Sequence, residues 1–179
     1  MPEAKIFWFT GLSGAGKSTI ANGVQSKLTQ KGYKVMILDG DNVRERSIKP
    51  IGFTFSDIKK NNLAILSLCI EHQTHNDAIL VSIISPYSSL RLHAREALEL
   101  RFYEIFIEAP IPTLQQRDTK GLYAKHSKGE IDNLIGLSAS NPYEPPKNPE
   151  LTINTSKEDQ DVSIDTLTTF VLQEIHAKS

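Results

Sequence analysis

Five short apolar runs punctuate the chain: Ile6–Thr10, Val35–Leu38, Ile79–Ser85, Tyr103–Glu108 and Leu151–Asn154. Strands that are apolar on both faces and separated by helix-length segments predict a parallel sheet with helices on both sides. Between the first two runs, Ile20, Val24 and Leu28 recur at i, i+4, i+8 and predict one buried stripe on a helix over Lys17–Gln30. Ile164, Leu167, Val171 and Ile175 form a similar stripe near the end, and Ser156 followed by Asp159 reads as a capping box opening that helix. From Arg117 to Asn148 the alternation stops. That stretch is polar, rich in Gly, Lys, Asn and Pro, and lies between two core strands, which predicts a lid over 117–148. The expected fold is therefore one three-layer α/β domain over residues 1–179, with a mostly parallel five-stranded sheet and a lid.

The segment Gly11-Leu12-Ser13-Gly14-Ala15-Gly16-Lys17-Ser18 fits G-x-x-x-x-G-K-[ST] in full, after a predicted strand and before a predicted helix. Glycines let backbone N–H groups turn onto phosphates, and the following helix N-terminus adds partial positive charge. In this cradle, Gly11, Ser13, Gly14, Ala15, Gly16, Lys17, Ser18 and Thr19 are the expected nucleotide contacts. Lys17 reaches the β- and γ-phosphates, and the Ser18 hydroxyl meets Mg²⁺. A GTPase reading draws on Asp118-Thr119-Lys120-Gly121, which fits D-x-x-G, and on Ser156-Lys157-Glu158-Asp159, close to an N/T-K-x-D base motif. Both have plainer explanations, because Asp118 does not end a buried strand and Ser156 works as a cap.

Charge and composition narrow the partners. The net charge is −1, which gives no basic field for nucleic acid or an anionic membrane. No apolar run reaches the ~20 residues that span a bilayer, and the N-terminus runs straight into Ile6-Phe7-Trp8-Phe9 with no signal-peptide pattern, so a cytoplasmic protein is expected. The lone Cys69 allows no internal disulfide and reads as a small core residue, and the five histidines lack metal-ligand spacing. Arg91 and Arg95, four apart on a predicted helix, read as surface residues.

After the second strand comes Leu38-Asp39-Gly40-Asp41-Asn42-Val43-Arg44. In an open parallel sheet the carboxyl ends of neighbouring strands line the ligand crevice, so these residues are expected to face the P-loop. Two carboxylates there can hold a Mg²⁺ water and accept a hydroxyl proton, and Arg44 can take an anion. An ordinary polar strand-to-helix turn explains the same residues equally well.

Five motifs then occur in order: G-L-S-G-A-G-K-S-T at 11–19, L-D-G-D-N-V-R at 38–44, I-S-P-Y at 84–87, R-D-x-K-G-L-Y at 117–123 and P-Y-E-P-P at 142–146. Together they resemble the adenylyl-sulfate (APS) kinases over nearly the whole chain. The resemblance implies transfer of the ATP γ-phosphate to a ribose hydroxyl of a nucleotide such as adenylyl sulfate, with ATP and Mg²⁺ as cofactors and a place in sulfate assimilation. It implies Lys17, Asp41 and Ser85 as catalytic residues and Ser18 and Asp39 at the metal. Arg117 would lie against the donor base and Lys120 near the phosphates. The acceptor nucleotide would meet Asp39, Asp41, Arg44, Phe53, Asn61, Ile84, Ser85 and Leu134. Homodimers are common in that family.

The acceptor half departs from the family pattern. Where family members carry arginines in G-F-S-x-x-D-R-x-x-N-I-R-R, this chain has Ile58, Leu63 and Ala64, while Phe53 and Asn61 are kept. Lys59 and Lys60 supply charge, but as point charges and not as a planar fork. The lid phenylalanine expected to stack on the acceptor base is Leu134, which lacks an aromatic face. Three readings follow: APS with altered contacts, a related nucleotide such as the cytidine diphosphoramidate of bacterial capsule synthesis, or a non-catalytic nucleotide-binding relative. The retained Lys17, Ser18, Asp39, Asp41 and Arg117 weigh against the last.

Overall fold

The computed structural model describes residues 3–45 and 52–177. The strands are β1 (Lys5–Thr10), β2 (Val35–Asp39), β3 (Ala78–Ser82), β4 (Phe102–Glu108) and β5 (Leu151–Asn154), within a few residues of the five apolar runs. They form one sheet of order β2-β3-β1-β4-β5, with every pairing parallel. Alternation along β1 explains why both faces must be covered. Phe7 and Phe9 join the core under α1 (Lys17–Gln30) and α7 (Gln160–His176). Ile6 and Trp8 join the core on the opposite face, under α3 (Phe55–His72) and α4 (Ser88–Leu98). The short helices α2 (Gly40–Glu45), α5 (Ile111–Arg117) and α6 (Leu122–Ser127) sit where chain leaves the carboxyl ends of β2 and β4. Cys69 is buried, as its apolar surroundings predict, and burial pushes its thiol up to about 12.

Several elements differ from the sequence reading. The third strand stops at Ser82, because Ser85 takes a φ of 44°, which breaks the extended run. The last helix is capped at Asp159 without a side-chain cap bond, and the Ser156 hydroxyl instead donates to Asn154 Oδ1 at 2.6 Å. Asp118 caps α6, accepting from the Tyr123 and Ala124 amides at 3.0 and 2.9 Å, which is the plain role that removes it from a GTPase motif. The 117–148 stretch is less detached than its composition suggests. Tyr123 and Leu134 pack into the α1/α7 core, and Ile135 packs on Ile58, Tyr87 and Leu90.

Candidate active site

The P-loop turns between β1 and α1 at the centre of the sheet. Gly11 is required by a close approach: a Cβ there would sit 2.2 Å from the Ile107 carbonyl oxygen. Gly16, at φ 100°, is the left-handed N-cap that aims the first α1 amides into the loop. Lys17 Nζ donates to the Gly11 and Leu12 carbonyls at 2.8 Å each, so the ammonium lies folded back along the cradle. Burial, with Lys120 adding to it and Asp41 and Asp39 opposing, lowers its pKa to about 7. Two further contacts brace the cradle. Tyr123 Oη donates to the Ser13 carbonyl at 2.8 Å, and Thr155 Oγ1 donates to the Ala15 carbonyl at 2.9 Å.

The start of α1 and the end of β2 bring the predicted metal pair together. Ser18 Oγ donates to Asp39 Oδ2 at 2.8 Å, while Asp39 Oδ1 accepts the Asp41 amide at 2.9 Å. Both side chains at this contact are reachable from solvent. One hydroxyl and one carboxylate beside a phosphate cradle fit Mg²⁺, which keeps several waters and takes few protein ligands. No cluster of three or more His, Cys, Asp or Glu suited to a metal occurs among the described residues. Lys120, from the start of the 117–148 segment, forms an ion pair with Asp41. Thus Lys17, Asp39, Asp41 and Lys120 from three separate segments converge on one crevice.

On the donor side, Arg117 donates from Nη1 to Thr155 Oγ1 at 2.9 Å and from Nη2 to the Thr155 carbonyl at 2.5 Å. It lines a cleft of about 480 Å³ with Gly14, Gly16, Thr19, Ser156 and Asp159, continuous with the P-loop and open to a nucleoside.

The acceptor set is brought together only in part. The Arg44 guanidinium lies 4.4 Å over the Phe53 ring and donates to the Gly52 carbonyl at 2.6 Å. Burial lowers its pKa against the pull of Asp41 and Asp57. Asn61 is 3 % exposed, stands beside Gly40 of the D-G-D turn, and its Oδ1 has no partner among the described residues. A buried amide oxygen left so is costly unless something donates to it.

Ser85 and Leu134 lie buried, and the expectation for Arg91 needs correction. Ser85, at 2 % exposure, turns its hydroxyl inward, where Oγ accepts from Trp8 Nε1 at 3.1 Å and Asn62 Nδ2 at 3.3 Å. Its hydroxyl is thus engaged within the protein. Leu134, at 7 % exposure, belongs to the core with Leu114 and Tyr123. Arg91 is not a surface residue: it is 3 % exposed and its Nε donates to Glu104 Oε1 at 2.5 Å. Arg95 does keep a partly open position, holding Glu150 through two hydrogen bonds of 2.6 and 2.8 Å. Ile84 contributes its backbone, with its carbonyl accepting from the Gly11 amide at 3.3 Å and Thr10 Oγ1 at 2.8 Å.

Sequence reasoning passed over Thr10, Tyr123, Tyr143 and Thr155. Each acts through one hydroxyl placed by tertiary folding, and only Tyr123 and Tyr143 lay within a recognised motif.

A parallel sheet with a phosphate cradle at β1, a carboxylate pair at β2 and a lysine from the lid segment defines a P-loop kinase. Residues 3–154 match the adenylylsulphate kinase family, and the chain belongs to that family. It is 49 % identical over 152 residues to the adenylyl-sulfate kinase of Halothermothrix orenii, covering 84 % of this chain and 80 % of that one. The adenylyl-sulfate kinase of Gloeothece citriformis is 42 % identical, with 88 % of each chain covered. Among solved structures, the APS kinase of Mycobacterium tuberculosis in complex with AMPPNP and APS is 34 % identical, with a TM-score of 0.84, covering 99 % of this chain and all of that one. No described helix is long and apolar enough to cross a membrane.

Proposed function

We propose that this chain transfers the γ-phosphate of Mg·ATP to a ribose hydroxyl of adenylyl sulfate, in the cytoplasm. The observation that carries the proposal is the convergence of Lys17, Asp39, Asp41 and Lys120 on one crevice between the phosphate cradle and the orphan amide of Asn61. Phosphoryl transfer needs mainly positioning and charge stabilisation, and those are what this set offers. Ser18 and Asp39 would hold Mg²⁺, which supplies charge neutralisation across the β- and γ-phosphates when bound. Lys17 binds the transferring phosphoryl group. Asp41 accepts the proton of the attacking hydroxyl once Lys120 leaves it for the phosphates. Arg117 and Thr155 form the donor cleft, while Arg44, Phe53 and Asn61 receive the acceptor. The same reading includes a homodimer, expected in solution at twice the 20.0 kDa of one chain.

One observation favours a second acceptor. Ile58 is 3 % exposed among Tyr87, Leu90 and Ile135, and Leu134 is buried, so neither an arginine nor a ring meets the acceptor at these positions. Lys59 and Lys60 are exposed on α3, off the stripe that carries Ile58 and Asn61, and do not replace the lost grip. A smaller pyrimidine nucleotide such as cytidine diphosphoramidate needs less stacking surface. A kinase assay with Mg·ATP offering adenylyl sulfate and cytidine diphosphoramidate in parallel decides between them. Higher kcat/KM for adenylyl sulfate upholds the first reading; turnover of neither removes both.

Asn61→Ala separates acceptor from donor binding. It is expected to raise the acceptor KM about fivefold, from about 1 kcal/mol for one neutral hydrogen bond, while the KM for ATP stays unchanged. An unchanged acceptor KM would take Asn61 out of the site.

A further inference from the structure

Behind the crevice, one buried guanidinium holds three segments at once. Arg91, on α4, donates from Nε to Glu104 Oε1 at 2.5 Å, from Nη1 to the Ser85 carbonyl at 2.7 Å and from Nη2 to the Glu144 carbonyl at 2.7 Å. Glu104 is itself fixed on β4: its amide donates to Glu150 Oε2 at 2.6 Å, and Arg95 stands 3.7 Å from its second oxygen. The Ser85 carbonyl belongs to a residue at φ 44°, a conformation that a side-chain-bearing residue keeps only when its surroundings enforce it. Thr10 Oγ1 is the other donor near that carbonyl, at 3.2 Å, and it also lies 2.9 Å from Tyr143 Oη. Burial pushes the Tyr143 phenol up to about 12, so that contact keeps its hydrogen at any working pH. The Glu144 side chain in turn accepts from the Ser88 amide at 2.7 Å, at the start of α4. The guanidinium therefore joins the 117–148 segment at Glu144, the I-S-P-Y turn and β4, the strand paired with β1 ahead of the P-loop.

The geometry points to Arg91 as a positioning residue for phosphoryl transfer. It holds the strained Ser85 turn in register with the P-loop and, through the Asn62 amide that donates to Ser85 Oγ at 3.3 Å, with the part of α3 that carries Asn61, so that this acceptor residue stands at a fixed distance from the phosphate cradle. The link to the cradle is direct, because the Ile84 carbonyl next to this turn accepts the Gly11 amide. The donor cleft at Arg117 and Thr155 lies outside this linkage. Loss of the clamp is thus a loss on the acceptor side. Only a planar fork serves three acceptors in three directions, and a lysine keeps the charge beside Glu104 while releasing the two carbonyls.

The inference rests on the kinase reading above, and Arg91→Lys tests it with two readouts. Trp8 is the only tryptophan in the chain, and its indole N–H donates to Ser85 Oγ, so its fluorescence reports the turn without any substrate. In Arg91→Lys the Trp8 emission should shift to the red. The acceptor kcat/KM should fall at least about tenfold while the KM for ATP stays within about twofold. Unchanged Trp8 emission overturns the proposal, as does a parallel loss on the ATP and acceptor sides, which marks a merely structural residue. If the wild type fails to phosphorylate adenylyl sulfate, the acceptor reading fails by itself and the Trp8 emission alone decides the role of Arg91. If Arg91→Lys does not fold, Thr10→Val, which removes the other donor to the Ser85 carbonyl, is read by the same two outcomes.

Discussion

Replacing Lys17 by alanine is expected to lower kcat at least about a hundredfold while the protein stays folded, the usual cost of losing one pre-aimed donor to developing charge. The ammonium already lies along the cradle, held by the Gly11 and Leu12 carbonyls, and phosphates entering the loop take over those bonds. Its lowered pKa, about 7, adds a second readout. Above that pH the free protein carries a largely neutral Lys17, whereas a lysine among phosphates is charged. Nucleotide binding at pH 8 should therefore take up close to one proton, and affinity should weaken as pH rises above about 7. Calorimetry in buffers of different ionisation enthalpy measures the uptake, and Lys17→Ala should abolish it. The sign for stability is opposite. Between about 7 and the ordinary 10.5 the unfolded chain binds more protons at this residue, so its contribution to ligand-free stability rises with pH across that window. Near-normal turnover in Lys17→Ala would remove the residue from its role.

The donor half of this molecule was legible in sequence because its parts are local. A P-loop is eight consecutive residues whose glycines answer backbone demands, and Gly11 against the Ile107 carbonyl shows such a demand met. The strands were legible because both faces of each are buried, leaving apolar runs with clear ends. The acceptor half was harder to read because its residues come from separate turns and their side-chain directions are set by packing. Ser85 looked available in I-S-P-Y, but a positive φ and the Trp8 indole turn its hydroxyl inward. Arg91 looked like a surface residue by its i, i+4 spacing with Arg95, yet Glu104, distant in sequence, draws it into the interior. A buried arginine needs a carboxylate partner, and no local pattern reveals one that is thirteen residues away on a different element, β4.

Ile58 and Leu134 show the same limit from the other direction. Their identities marked a departure from the family pattern, and the structure gives that departure a physical form. Ile58 packs on Ile135 of the 117–148 segment, so this part of the segment is tied to α3 by apolar contact where the family pattern places charge. Restoring an arginine at 58 therefore breaks a buried cluster as well as adding a grip. A charged group forced among Tyr87, Leu90 and Ile135 carries a desolvation penalty that a ligand anion has to offset.

Asp41→Asn is the substitution expected to stop chemistry with the least disturbance of binding. The side chain keeps its size at the start of α2 but can no longer accept the proton of an attacking hydroxyl, and general-base losses of this kind run to about 10²–10⁴ in rate. The fall should appear in kcat at saturating acceptor, with the KM for ATP little changed, because Asp41 lies on the acceptor side of the cradle. Its ion pair with Lys120 sharpens the test. In the ligand-free protein Lys120 holds the carboxylate, so the lid lysine has to move before Asp41 can act. Lys120→Ala frees Asp41 but removes a phosphate partner, and it should lower kcat by less than Asp41→Asn while raising the KM for ATP. The two residues act on one step, so the double variant should be no worse than Asp41→Asn alone in kcat. If Asp41→Asn retains near-normal turnover, the proton has another acceptor. If the double variant is as slow as the product of the two single effects, Lys120 and Asp41 act independently and the exchange of partners between them is not part of the reaction.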